Sequence, residues 1–206
     1  MLFLALYALI TIKLVLWVRK AAALRDTGKK FPLKAVNAVA TIVLANAIVY
    51  QILHHYEHVT QIFQYWYLEQ YSLVSRGVVF FLDLEWNHFI FDSGYFLLLL
   101  GGILFFLRQW KAAGHAIDRL GGFLLYGTIV VQGWHAIEHT YRIIRHVREG
   151  CEPCRGIADK AFDLQLIPLH FWFNVFALTL PLLAFFYYRM DAKLLLLIRE
   201  AFTKRR

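Results

Sequence analysis

Two copies of one pattern, Gln-x-x-His-x-x-Glu-His, carry most of the chemistry available to this chain. The first copy reads Gln51, His54, Glu57, His58; the second reads Gln132, His135, Glu138, His139, 81 residues later. A second pair of patterns lies 82 residues apart: His88-Phe-x-Phe-Asp92 and His170-Phe-x-Phe-Asn174. The near-equal offsets point to an internal duplication. It gathers six of the nine histidines and two glutamates into equivalent places. Imidazole nitrogen and carboxylate oxygen suit the borderline transition metals. The expected ligands are therefore His54, Glu57, His58, His88, His135, Glu138, His139 and His170. Two ions, each with three histidines and sharing bridging Glu57 and Glu138, would use every donor. Iron is the first expectation, with zinc, copper or manganese as alternatives.

Helical spacing supports convergence. Positions i, i+3 and i+4 share a helix face, so His54, Glu57 and His58 point together, as do His135, Glu138 and His139. His88 shares a face with Asp92, and His170 with Asn174. Gln51 and Gln132, one turn away, are expected to orient ligating imidazoles, with Asn174 in the same cofactor-supporting role. Glu57, Glu138 and Asp92 are the candidate catalytic acids. Asp92 reads as a proton acceptor or extra ligand, or as a hydrogen-bond partner that orients His88.

The duplicated set is broken at a few places. Arg142 stands where the first copy has Gln61. It reads either as a holder of an anionic or lipid group within the cofactor site, or as an arginine snorkelling to the interface. His55 has no histidine counterpart, since Ala136 occupies that position, and it reads as a pocket or surface residue. His115 and His146 read as solvated and interfacial. Cys151 and Cys154, in Cys-Glu-Pro-Cys, are expected to staple a loop; two cysteines alone are too few for structural zinc.

The elements that must position these residues are membrane helices. Of 206 residues, 60% are hydrophobic, and the mean hydropathy is +0.52. Five spans are predicted near 2–18, 36–66, 87–107, 119–144 and 165–188, because a crossing helix needs about 20 apolar residues. The fold class is an all-α integral membrane protein: one N-terminal helix plus two helical hairpins forming a pseudo-two-fold four-helix bundle. Its divisions are 1–35 (first helix and basic loop), 36–107 and 108–188 (the hairpins) and 189–206 (basic tail). The first span lacks a basic leading region and reads as a retained helix rather than a signal peptide. The tail reads as an extension of the last helix, anchored at the headgroups.

The net charge of +8 collects in loops rather than on a nucleic-acid-binding face. Arg19, Lys20, Arg25, Lys29, Lys30 and Lys34 follow the first span, and Arg108, Lys111 and Arg119 lie in the next loop on that side. By the positive-inside rule these loops and the C-terminus are cytoplasmic and the N-terminus is outside. Arg142, Arg145 and Arg148 at the opposite end weaken that asymmetry without reversing it. His54 lies 18 residues past Val36, roughly 27 Å at the helical rise. That depth puts the histidines in the outer leaflet.

His-x-x-Glu-His resembles the inverzincin peptidase signature, in which two histidines hold zinc and the glutamate activates water. The likeness covers five residues, and membrane spans exclude that soluble fold. The histidine set is also similar in its chemistry to the boxes of membrane di-iron desaturases and hydroxylases. It departs from them in lacking the usual His-His box, the sole adjacent pair being His54-His55. The leading functional expectation is a membrane-embedded dinuclear-metal oxidoreductase, oxygenase- or oxidase-like, acting on an apolar or lipid-like substrate. A zinc hydrolase of lipid amides or esters is the alternative, followed by a haem- or pigment-binding electron-transfer subunit. Partners would be the bilayer, the apolar substrate and an electron donor or larger complex.

Overall fold

The computed structural model describes residues 9–20, 33, 36–68, 77–78 and 84–203. All regular structure among them is helical. Residues 9–20 form α1. It is followed by α2 (Ala38–Tyr67), α3 (Leu84–Ala112), α4 (Arg119–Glu149), the short α5 (Ile157–Phe162), α6 (Leu166–Tyr187) and α7 (Met190–Thr203).

Four helices are long and apolar enough to cross a membrane: α2, α3 from Glu85 on, α4 and α6. They correspond to four of the five predicted spans. The predicted first span, 2–18, lies partly outside the described residues, and its remainder is within α1. The side-chain arrangement is the reverse of a soluble protein's. Leu53, Leu97 and Val130 point outward, each more than 60% exposed, while Gln51, His54, Asp92, Gln132 and His135 of the same helices are buried. An apolar exterior around an ionisable interior is stable in lipid and not in water. The chain is therefore a multi-pass membrane protein.

Side chains set the helix starts. Asn37 Oδ1 accepts the Ala40 N–H at 3.1 Å, and Asp118 Oδ1 accepts the Gly121 N–H at 2.7 Å. Each satisfies an amide of the first turn that has no helical partner. In α6, Pro181 lies inside the helix. Proline has no N–H, so the carbonyl four residues earlier, Ala177, loses its helical donor. The Tyr95 hydroxyl replaces it, donating to Ala177 O at 2.7 Å. Tyr95 is fully buried.

The chain divides into two compact units. One takes the chain up to Ile48, Leu99–Gly127 and the chain from Thr179 onward; the other takes Val49–Leu98 and Thr128–Leu178. In the first, Phe106, Trp110 and Tyr188 pack ring on ring, with centroids 4.8–5.4 Å apart for the pairs with Tyr188. A Cβ on Gly121 would lie 2.0 Å from the Tyr188 hydroxyl oxygen, so that approach requires glycine. Arg19 pairs with Asp191 at 2.9 Å. The tail departs from the expected helix extension. Arg189 adopts φ 54°, and this break separates α6 from α7. All the predicted site residues belong to the second unit.

Candidate metal centre

Helices α2, α3, α4 and α6 each deliver histidine to one buried core. His54, His58 and His88 offer ligand atoms that all lie within 4.8 Å of one another, and so do His135, His139 and His170. These two triplets could hold metal ions. On α2 the i, i+4 pair brings His58 Nε2 to 3.2 Å from His54 Nε2. On α4 the matching pair, His135 and His139, stands at 2.9 Å. Two nitrogens each about 2.1 Å from one ion stand about 3.0–3.4 Å apart, depending on whether the angle is octahedral or tetrahedral. The α2 pair lies within that range, and the α4 pair falls just short of its lower end. The triplets are also neighbours: the rings of His88 and His139 stack with centroids 5.4 Å apart, and those of His58 and His170 at 6.2 Å.

Asp92 is the carboxylate among the histidines. Its Oδ2 stands 3.5 Å from His54 Nε2, 3.2 Å from His139 Nε2 and 3.9 Å from His135 Nε2, without a well-directed hydrogen bond. It thus faces both triplets, rather than serving only to orient His88. Its other oxygen accepts from Gln132 Nε2 at 3.3 Å, and its backbone carbonyl accepts from the same nitrogen at 3.2 Å. The matched contact is Gln51 Nε2 donating to Asn174 Oδ1 at 2.7 Å. Both glutamines therefore hold the Asp or Asn of a facing helix, and not an imidazole as the sequence suggests.

The glutamates depart further from expectation. Both oxygens of Glu57 accept the Val78 N–H, at 3.0 and 2.9 Å. Glu138 accepts the Ile157 and Ala158 N–H groups, each at 2.6 Å. Neither glutamate belongs to a histidine triplet. They lie between the two histidines of each pair along the helix, but backbone amides at Val78, Ile157 and Ala158 take them up. Glycine permits the close approach in both places. A Cβ on Gly77 would lie 1.9 Å from Glu57 Oε1, and one on Gly156 2.2 Å from Glu138 Oε2. The sequence places Glu57 and Glu138 among the histidines; the carboxylate found nearest their nitrogens is that of Asp92.

Arg142 neither snorkels nor faces outward. It is 2% exposed. Its Nη2 donates to Glu85 Oε1 at 2.6 Å, and its Nη1 donates to His170 Nε2 at 2.8 Å. His170 Nδ1 lies 2.9 Å from the Leu166 carbonyl, so the neutral ring carries its proton on Nδ1. Glu85 Oε1 also accepts the Cys154 N–H at 2.7 Å. Cys151 and Cys154 close a disulfide, as the loop-staple reading expects. His146 Nδ1 donates to Cys151 O at 2.7 Å. His55 is buried against Phe171, with ring centroids 5.7 Å apart.

No protein-family model, curated protein or solved structure matches this chain. Its chemistry must be read from its own residues. Sequence reasoning did not single out Glu85, Gly77 or Gly156. For Glu85 a signal existed: an acid at the start of an apolar helix needs a partner, and the unmatched Arg142 was available. The two glycines follow Glu57 and Glu138 by 20 and 18 residues, a correspondence that gains meaning only once the carboxylates are seen bonding there.

The donor set fits metal ions. In α2–α4 four buried carboxylates, Glu57, Glu85, Asp92 and Glu138, face one buried arginine, Arg142, among the described residues. With neutral histidines this leaves three negative charges in excess. An unbalanced charge in a low-dielectric interior costs several kcal/mol. Loop amides satisfy two of the carboxylates, and Arg142 a third. Asp92, ringed by imidazole nitrogens, is left for a cation.

Proposed function

We propose that this protein is a membrane-embedded oxidoreductase with a dinuclear metal centre, one ion per histidine triplet and Asp92 between them. The observation that carries this reading is the position of Asp92 Oδ2, within 3.5 Å of an imidazole nitrogen from each triplet. Each triplet supplies three nitrogen donors for one ion, and there are two triplets among the described residues. Iron is the metal we favour, since nitrogen and carboxylate donors together suit it. When bound, such a pair would exchange electrons with dioxygen or a related small oxidant. The chain's own residues hold the ions, exclude water and fix the ring orientations.

We read the two pattern copies as a duplication that places the hairpins about a pseudo-two-fold axis. Matched contacts support it: Gln51–Asn174 with Gln132–Asp92, and the Glu57 and Glu138 loop clamps. We infer five spans, an external N-terminus, a cytoplasmic C-terminus and a site in the outer leaflet, from the charge distribution.

An apolar substrate suits the surroundings. A groove of about 400 Å³ is lined by Trp86, Phe89, Ile143, Ile144 and Val147, with Arg148 at its edge. Glu85 and Arg142, next in sequence to Trp86 and Ile143, pair with each other, and Arg142 also reaches His170. The hydrolase alternative loses its general base, because Glu57 and Glu138 are engaged by loop amides. A porphyrin is disfavoured by imidazole rings packed against one another at centroid distances near 5 Å.

The deciding experiment measures metal per chain by mass spectrometry on detergent-purified protein, with an absorption spectrum and dioxygen consumption in the presence of a quinol. Near two iron atoms per chain with quinol-dependent oxygen uptake is the expected result. A Soret band, or no metal, overturns the reading.

A further inference from the structure

The Cys151–Cys154 bridge joins residues three positions apart. Loop closure stabilises a fold more the longer the loop that is closed, so a bridge this short adds little to the stability of the bundle. What it fixes is local. Before it, His146 Nδ1 donates to the Cys151 carbonyl at 2.7 Å. Beyond it, Arg145 Nη1 donates to the Arg155 carbonyl at 3.1 Å, and Glu138 accepts the Ile157 and Ala158 amides. With both flanks anchored, the bridge sets the turn between them, and that turn carries the Cys154 N–H. This amide donates to Glu85 Oε1 at 2.7 Å. The same oxygen accepts from Arg142 Nη2, and Glu85 Oε2 has no hydrogen-bond partner among the described residues. Arg142 Nη1 in turn donates to His170 Nε2 at 2.8 Å. A continuous series of hydrogen bonds thus runs from the bridged turn to a ligand atom of the candidate metal centre. The two sulfurs differ in access: Cys154 is fully buried and Cys151 half-buried. Exchange begins with thiolate attack on a reachable sulfur, which here is that of Cys151.

We propose that Cys151–Cys154 is a thiol–disulfide exchange site for a dithiol reductant, and that opening it loosens Glu85 and Arg142 and frees His170 Nε2 for a metal ion. One thiolate of the reductant bonds to Cys151 Sγ, the Cys151–Cys154 bond breaks, and Cys154 leaves as a thiolate that takes up a proton. The reductant's second thiol, as its thiolate, then bonds to the first sulfur and displaces Cys151, which is protonated in turn. The protein gains two electrons and two protons, and the dithiol closes to a disulfide. Opening the turn costs Glu85 one of the two hydrogen bonds on Oε1, so Arg142 loses part of its restraint. A guanidinium keeps its proton at any physiological pH, so it yields the His170 lone pair only by moving. The effect on metal binding rests on the metal reading above; the exchange site does not.

The test uses the full chain in detergent. Folded protein is treated with dithiothreitol, quenched in acid, desalted, and labelled with a maleimide after denaturation. Two labels per chain are expected by intact mass, with the helical circular dichroism unchanged before the quench. No labels, or labels only where the helices have also melted, overturns the exchange site and leaves the metal reading standing. The effect on the centre is read by chelator-buffered Co²⁺ titration of Cys151→Ser/Cys154→Ser, which has an open turn and no thiol to bind the ion. One binding step should be about tenfold tighter than in wild type, the low end of the range by which partners of metal ligands alter affinity. In a Glu85→Gln/Arg142→Gln background, where the guanidinium is gone, the serine pair should change nothing. An unchanged affinity in the first comparison, or an equal change in both, overturns the link to His170. No Co²⁺ bound by any form overturns the metal reading and that link together, and the label count still decides the exchange site.

Discussion

Asp92 and His139 meet across the helix bundle: the carboxylate oxygen Oδ2 of α3 lies 3.2 Å from the imidazole Nε2 of α4. The same oxygen faces His54 of α2 at 3.5 Å. A single acid thereby lies near histidines from both copies of the Gln-x-x-His-x-x-Glu-His pattern. Asn174, which matches Asp92, is neutral and turned to Gln51. At these two matched positions only Asp92 carries a carboxylate.

Asp92→Asn tests that charge. Asparagine keeps the shape and still accepts from Gln132, but it removes the anion that balances a bound cation. Metal affinity should fall about ten- to hundredfold or more, read as metal retained per chain after dialysis against a weak chelator. Full retention would show that the histidines alone hold the ions.

How far this arrangement was legible in sequence depends on the kind of contact. Four spans and the convergence of six histidines follow from hydropathy and from i, i+4 spacing, which are local properties. Which carboxylate enters the centre is not local. Glu57 and Asp92 both share a face with histidines, and only the connecting segments decide between them. Their amides at Val78, Ile157 and Ala158 need acceptors, and they draw Glu57 and Glu138 away. The snorkelling reading of Arg142 fails for the same reason, because its partner Glu85 lies 57 residues away. The short helix α5 carries no long apolar run to announce it.

The reassigned glutamates give a discriminating pair of variants. Glu57→Gln and Glu138→Gln should keep bound metal near the wild-type level, whereas loss of a bridging ligand would release it. Glu138 uses one oxygen for each of two amides, so glutamine must turn an NH₂ toward an N–H and lose a charge-assisted bond, at a cost of about 1.5–3 kcal/mol. Thermal unfolding of Glu138→Gln in detergent should show that drop while its bound metal is retained.

Asp159 in α5 lies outside the spans and gives a pH dependence. Burial pushes its carboxyl above the ordinary aspartate range, against the opposing pull of the Gly156 amide and Arg155. A raised acid binds its proton more tightly folded than unfolded. Its contribution is therefore fully present below the ordinary aspartate value and is lost as pH rises through the folded-state value. Stability should decline across that acidic window, and Asp159→Asn should flatten the decline. An unchanged slope of melting temperature against pH in the variant would assign the decline to other groups.

Tyr95 and Pro181 supply the last test, a two-residue cycle. Pro181 takes the helical donor from the Ala177 carbonyl, and the Tyr95 hydroxyl replaces it at 2.7 Å. Tyr95→Phe leaves that carbonyl without the replacement donor at a buried position, where no lipid group can serve. The expected loss is about 1–3 kcal/mol. Pro181→Ala returns an N–H to position 181, so the helix can make its own bond to Ala177 and the hydroxyl becomes dispensable. Tyr95→Phe should then cost much less in the Pro181→Ala background than in wild type, measured by unfolding in the same detergent. Equal costs in both backgrounds would mean that the hydroxyl acts through packing rather than as a substitute for the missing amide.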